Sequence, residues 1–261
     1  MFPSPPRRTF RYTLSWFIAA AVLFFPLLIW AAYQFSQTRH VDPTLAFFTA
    51  IFGLLFAYAW LWRKTTVTIH EEGISYKSPF SQKDLRWNEI TETRYGQQPM
   101  NLAVHFGLIG LLIAATNRSG NKLIRSLELI GPQKIVINSN IRDLEEAVRL
   151  VLAAVNPRLR QEAERMLNSG GTVSFGKISL SPSGVIWKST EPIPYTAIVK
   201  CKIDGSMLRV KAEGKWLDNI AVTAKKIPNV FILLDLIEQR RTARLGNTAP
   251  VMAGSSIHQY L

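Results

Sequence analysis

The sequence predicts an α+β membrane protein: an N-terminal two-helix transmembrane hairpin, then two tandem antiparallel barrels, each closed by a C-terminal helix. Three observations predict it. Two long uncharged apolar runs lie close together near the N-terminus. Beyond them, short strand-like runs end in an amphipathic helix, and they do so twice. The charge is strongly positive, with 31 Lys+Arg against 18 Asp+Glu and a formal +13, which favours anionic partners. At 261 residues the chain suffices for one large domain or two small ones. Its 48% hydrophobic content excludes disorder along the whole length. Cys201 is the only cysteine, so an intrachain disulfide and a cysteine-based zinc site are both excluded.

The hairpin comes first. Leu14–Tyr33 and Thr44–Trp62 carry no charge. At ~1.5 Å per residue each run reaches roughly 30 Å, the thickness of a bilayer core. Trp16, Trp30 and Tyr33 lie near the ends of the first run and Trp60 and Trp62 at the end of the second, where amphipathic rings meet the headgroups. Pro26 predicts a kink in the first helix. Arg7, Arg8 and Arg11 precede the first run, and Arg63 and Lys64 follow the second. The connection, Gln34–Pro43, offers only Arg39 and His40 beside Asp42. Positive-inside reasoning therefore expects a multi-pass protein of the inner membrane with both termini cytoplasmic. Arg7-Arg8-Thr9-Phe10 has part of a twin-arginine export signal, but the apolar run behind it is too long and a second follows at once.

The remainder reads as a duplication. Ile69–Ser78 matches Leu180–Ser189: an aliphatic residue, a turn with Gly73 or Gly184, then aliphatic-x-aromatic-Lys-Ser. Trp87–Ile90 then matches Tyr195–Ile198. Each repeat predicts a hairpin with glycine at the turn, then a strand carrying an inward aromatic. In the first repeat Asn140 or Asp143 can cap a helix running to Val155, with Leu144, Val148, Val151, Leu152 and Val155 on one face. Asn156-Pro157 is expected to interrupt it and start another helix, which ends at Gly170-Gly171. The second repeat closes with Val230–Arg241, with Phe231, Leu234 and Ile237 on one face and Arg240, Arg241 and Arg244 complementing its dipole. The expected organisation is a basic N-terminus (1–13), the hairpin (14–62), a first domain (63–156), a helical linker (157–171), a second domain (172–245) and a loose tail (246–261).

The spacing Gly73-Ile74-x-Tyr76 and Trp87-x-Glu89-Ile90, followed by an amphipathic helix, resembles bacterial pleckstrin-homology-like (PH-like) domains. The second repeat resembles the same class, with Tyr195 in place of the usual Trp. Together with the spans, the chain is similar to largely uncharacterised membrane-anchored proteins that carry such domains. The resemblance implies a seven-stranded barrel with a C-terminal helix. It implies no catalytic residue and no cofactor.

A search for chemistry agrees. His40, His70, His105 and His258 are scattered, and no metal-, nucleotide- or nucleophile-binding motif occurs. Glu71-Glu72 fall in a hairpin turn and Cys201 inside a strand. One basic constellation stands out. Asp204-Gly205 reads as the turn between Val199–Ile203 and Met207–Ala212. Period-two alternation places Val199, Cys201, Ile203, Leu208 and Val210 inward, and Lys200, Lys202, Arg209 and Lys211 together on the outer face. Like charges facing across strands are mildly unfavourable, and an anionic partner relieves them. The competing reading is a solvated or edge-protecting sheet face. Nucleic acid is disfavoured, because the positive surplus is spread along the chain without a recognition motif.

A second candidate is the apolar insertion Asn101–Ala115, which has no counterpart in the second repeat. Leu108, Ile109, Leu111 and Leu112 would contact the membrane, with Asn117, Arg118, Lys122 and Arg125 beside headgroup phosphates. Alternatively it forms buried strands, a buried helix, or a third span. The functional expectation is a non-enzymatic, membrane-tethered scaffolding protein that engages the anionic inner leaflet or protein partners. The rivals are a homo-oligomeric channel or transporter subunit and a membrane-bound enzyme without a recognisable motif. The spans contain no Asp, Glu, Lys, Arg or His to couple ions.

Overall fold

The structure, a computed structural model, describes residues 5–12, 15–40, 42–99, 123–188, 191–214 and 219–244. Two compact units emerge: Met1–Arg86 with Asn140–Leu144, and Trp87–Ser139 with Glu145–Leu261. Among the described residues there are four α-helices and four antiparallel sheets.

The first unit contains strand β1 (Arg8–Arg11), helices α1 (Ser15–Thr38) and α2 (Pro43–Trp62), and strands β2 (Thr66–Ile69), β3 (Gly73–Lys77) and β4 (Gln82–Arg86). The strands form one sheet in chain order. β1 was not expected from the sequence. It precedes the helices yet pairs with β2, Arg8 with Ile69 and Arg11 with Thr66, so the helical hairpin is inserted between two adjacent strands. Tyr12 extends the pairing to Ile141, and Arg142 N–H donates to the Arg11 carbonyl at 2.9 Å. Phe10, Val67, Ile69, Ile74 and Leu85 are the buried side chains of this sheet.

α1 runs beyond Tyr33 to Thr38, because nothing in Gln34–Thr38 breaks a helix, and Pro26 lies inside it. The connection is correspondingly shorter than Gln34–Pro43. Asp42 caps α2: its Oδ1 accepts from Thr44 N–H at 2.7 Å and Leu45 N–H at 3.3 Å, and Pro43 occupies the first turn. The helices touch through aromatics. Phe24 stacks on Phe56 at 5.4 Å, and Gly53 leaves room for Phe24, whose Cε2 would lie 3.2 Å from an added Cβ. α2 buries no residue, and Ile29 and Leu54 are 68% and 72% exposed. Ala20–Thr38 and Pro43–Trp62 are long and apolar enough to cross a membrane.

The second unit holds three sheets. β5 (Glu92–Pro99), β6 (Leu123–Ile130) and β7 (Lys134–Asn138) form the first. β8 (Val173–Phe175), β9 (Ile178–Leu180), β10 (Gly184–Trp187) and β11 (Ile193–Pro194) form the second, in the order β11-β10-β9-β8. β12 (Ile198–Asp204), β13 (Met207–Ala212) and β14 (Ile220–Thr223) form the third. Helix α3 (Leu144–Asn168) belongs here from Glu145 onward, and α4 (Val230–Arg244) ends the unit.

The matched hairpins are present. His70 N–H donates to the Gly73 carbonyl at 2.8 Å, and Ser181 N–H donates to the Gly184 carbonyl at 2.9 Å. Two expectations need correction. The aromatics Tyr76 and Trp187 are only half-buried, and Ile74 and Val185 fill the interior instead. The second pair of matched segments, Trp87–Glu89 and Tyr195–Ala197, are both 3-10 turns, with Ile90 and Ile198 buried behind them. No barrel closes among the described strands. A 3-10 turn spends its hydrogen bonds within itself, and Pro194 in β11 has no N–H to give, so the ladders stop.

Pro157 does not interrupt the helix, as the sequence suggested; α3 is continuous around it. The apolar stripe keeps its phase across the proline, with Val148, Val151, Leu152, Val155, Leu159, Ala163 and Leu167 all buried. That burial, ~1.5 kcal/mol or more per large side chain, outweighs the ~3 kcal/mol an interior proline costs. Asp143, at φ +57°, does not adopt the extended backbone of a capping residue. The C-terminus stops as expected. Gly170 is left-handed at φ +85°, its N–H donating to the Leu167 carbonyl at 3.2 Å and Gly171 N–H to Met166 at 2.9 Å, a Schellman closure.

α4 is buried on more than the expected face: Val230, Phe231, Ile232, Leu233, Leu234, Leu236 and Ile237 are all enclosed. Phe231 packs on Tyr95 of β5 at 5.1 Å. Asn229, at φ +51°, completes the edge of that strand. Its N–H donates to the Thr93 carbonyl at 2.7 Å, and its Oδ1 accepts from Thr93 N–H at 2.8 Å and Thr93 Oγ1–H at 3.1 Å. On β6 the buried Glu128 receives Lys134 at 2.7 Å and Lys225 at 2.9 Å. Desolvation pushes its carboxyl up, but hydrogen bonds from the two lysines together hold it below the usual range.

Candidate functional site

The outer face of β12 and β13 is the candidate. Leu208 and Val210 are buried, so the period of two turns Arg209 and Lys211 outward. The register brings Lys200 directly opposite Lys211 and Lys202 directly opposite Arg209. Gly205, at φ +59°, occupies the first position of a two-residue loop between Asp204 and Met207, the place a type II′ turn reserves for glycine. β14 adds Ala221 opposite Arg209, an exposed side chain too short to screen it.

One inward expectation fails. Val199 is 56% exposed, because the ladder bulges between Ile198 and Lys200. The bulge has a consequence for charge. Ile198 pairs with Ala212, and unbroken pairing from there would set Lys200 opposite Val210, an inward position. The extra residue shifts the parity and delivers Lys200 to the outer face. Arg241 supports the bulge, its Nη1 donating to the Val199 carbonyl at 2.9 Å while its Nη2 meets Glu238 at 2.7 Å.

Electrostatically the face is under-neutralised. Asp204 Oδ2 lies 3.5 Å from Lys202 Nζ and 3.7 Å from Arg209 Nε. Asp204 is 54% exposed, so these pairs are weak. Among the described residues, Lys200 and Lys211 have no carboxylate in ion-pair reach. The Lys200–Lys211 pair, facing across neighbouring strands, costs a few tenths to ~1 kcal/mol, which a bound anion would offset. Burial pushes the thiol of Cys201, which lies between the two lysines in the strand, up to about 12. Among the described residues no group of three His, Cys, Asp or Glu could hold a metal ion.

Similarity to known sequences covers this whole arrangement. A family model matches residues 5–244, from ahead of β1 to the end of α4. The chain belongs to DUF6585, a family of unknown function. No curated protein and no solved structure matches. The DUF6585 region includes the apolar hairpin and the basic sheet face together.

Leu108, Ile109, Leu111, Leu112, Arg118 and Lys122 lie outside the described residues. Arg125, expected beside phosphates, is paired with Glu145. Arg240 and Arg244 do more than face a helix dipole: Arg240 donates to Asn168 Oδ1 at 2.8 Å and Arg244 to the Pro182 carbonyl at 3.3 Å. Sequence reasoning missed the support that Arg241 gives Val199. Its only signal was an arginine-rich helix end, which reads equally as dipole complement.

Proposed function

We propose that this member of DUF6585 is a non-enzymatic, membrane-tethered interaction protein. α1 and α2 cross the inner membrane, both termini are cytoplasmic, and the face of Lys200, Lys202, Arg209 and Lys211 engages anionic headgroups of the inner leaflet. The observation that carries the reading is the direct facing of Lys200 with Lys211 and of Lys202 with Arg209 on an exposed sheet surface. The pairing of β1 with β2 across the hairpin supports both ends of the hairpin lying on one side. The PH-like reading is supported by element order: four strands, three strands and a helix, twice in succession, the helical hairpin interrupting only the first set.

The face is tested on the full chain reconstituted into vesicles, by mass-spectrometric footprinting of lysine acetylation. Lys200, Lys202 and Lys211 are expected to label more slowly with phosphatidylserine present than in phosphatidylcholine alone, and the protection should fall as salt screens it. Equal labelling in both lipids removes the reading. Lys200→Glu gives an opposed signature. It places a carboxylate across from Lys211, so stability should rise by a few tenths to ~1 kcal/mol while protection of the face falls.

The topology has its own test. A reporter active only outside the cytoplasm, fused after Leu261, is expected to stay silent. A strong signal would place the basic face away from the anionic leaflet and end the proposal.

A further inference from the structure

We propose that the β3–β4 loop, Ser78-Pro79-Phe80-Ser81, is a second membrane contact, with Phe80 inserted among the lipid headgroups beside the point where the hairpin leaves the bilayer. This rests on the reading that α1 and α2 are spans.

The placement follows from strand register within the first unit. α2 ends at Trp62, and β2 begins at Thr66. Thr66 pairs with Arg11 on one side and with Lys77 on the other, and Lys77 pairs with Gln82. Arg11, Thr66, Lys77 and Gln82 therefore form one row across the sheet, at the end from which both helices depart. With strands ~4.8 Å apart, Lys77 stands about 5 Å from the strand that emerges from α2. The Ser78–Ser81 loop projects from this row. The opposite row, Arg8, Ile69, Ile74 and Leu85, carries the His70–Glu72 turn. At ~3.3 Å per residue that turn lies roughly 15 Å away.

The chemistry of the loop matches that location. Phe80 is 73% exposed. The loop that presents it is tightly tied: Ser78 N–H donates to the Ser81 carbonyl at 2.8 Å, Ser78 Oγ–H donates to the same oxygen at 2.9 Å, and Pro79 fixes the backbone before Phe80. A rigid, outward aromatic loses little freedom on insertion. Cations surround it. Arg11, Arg63, Lys64, Lys77 and Lys83 lie on the segments at this end, and 77–83 contains no acidic residue. Arg63 lies over the rings of Trp60 at 4.6 Å and Phe17 at 5.4 Å, and Tyr12 approaches Trp62 at 6.3 Å, the aromatic-and-basic belt of an interface. Glu71 and Glu72 are exposed at the far end. There they are mixed with Arg8 and Arg86, so the two ends differ in aromatic content and in the absence of acidic residues from the loop rather than in a simple reversal of charge.

Depth-dependent quenching tests this on the full chain. In a Cys201→Ser background, Phe80→Cys, Glu72→Cys and Leu54→Cys are each labelled with a polarity-sensitive fluorophore and reconstituted in phosphatidylcholine–phosphatidylserine vesicles. All three positions are exposed, so the substitutions leave the core untouched. Phe80 should be quenched several-fold more by headgroup or shallow nitroxide lipids than Glu72, while Leu54 is quenched chiefly by deep nitroxides. Quenching at Leu54 with none at Phe80 overturns the loop contact and leaves the spans standing, which would direct Phe80 to a protein partner instead. Absence of deep quenching at Leu54 overturns the spans and the loop contact together.

Discussion

Replacing Asn229 by alanine is expected to destabilise the second unit by about 3 kcal/mol, two contributions adding. The Asn229 carboxamide oxygen is the acceptor for the N–H of Thr93, a residue only 2% exposed, and for its hydroxyl. Without it a buried backbone donor is left unpaired, at a cost of ~1–3 kcal/mol. Asn229 also sits at φ +51°, where alanine is disfavoured by ~1–2 kcal/mol and asparagine is better tolerated. Two further variants separate the contributions. Asn229→Gly relieves the backbone but not the lost acceptor, so it should be milder than alanine and still clearly destabilised. Asn229→Asp keeps an oxygen in place and should stay nearest the parent. Denaturant unfolding with hydrogen exchange at Thr93 reads both. Unchanged exchange at Thr93 in the alanine and glycine variants would show that this edge of β5 does not depend on Asn229.

Gly184→Ala should be at least as damaging, ~3 kcal/mol or more, for a purely steric reason. A Cβ at Gly184 would lie 2.1 Å from the Ile193 carbonyl oxygen, 2.6 Å from its carbon and 3.1 Å from Pro194 Cα. All three are backbone atoms, so no side chain can swing aside. β11 must then leave β10, breaking the pairs Gly184–Pro194 and Val185–Ile193. Tyr195 follows directly, and its hydroxyl donates to the Ser181 carbonyl at 2.7 Å from a buried position. Loss of that bond and rapid exchange around Ser181–Val185 should accompany the fall in stability. A Gly184→Ala protein with parental unfolding behaviour would mean that β11 is not held against β10 in solution.

These positions also show what local pattern can and cannot reveal. The hairpin was legible because Leu14–Tyr33 and Thr44–Trp62 lack any charge, a signal that needs no knowledge of neighbours. The cation face was legible because Asp204-Gly205 marks a turn and so fixes which residues oppose one another. The bulge at Val199 was not, since Val199 to Ile203 alternates perfectly and the interruption depends on Ala212 and Arg241 from elsewhere. β1 was hidden for a related reason: four residues, two of them arginine, form a strand only because β2 lies beside them after the hairpin. Pro157 misled because its cost is local, whereas the burial that outweighs it extends over the length of α3. Asn229 gave no sign, as its partner Thr93 is distant in sequence.

The insertion of the helices between β1 and β2 dictates how a hairpin-free form of this protein has to be made. Cutting the chain after Trp62 would discard Arg8–Arg11, strip the buried Phe10 from the sheet and leave β2 as a raw edge. The two strand ends, however, are already neighbours. Arg11 pairs with Thr66, and Tyr12 N–H donates to the Thr65 carbonyl at 3.4 Å. Antiparallel partners stand ~5 Å apart, a gap that a two-residue Asn-Gly turn closes with the right twist. Joining Tyr12 to Thr65 in that way turns the longest connection in the sheet into a tight turn like the other two. The excision keeps every strand pairing of the unit and removes only the helices.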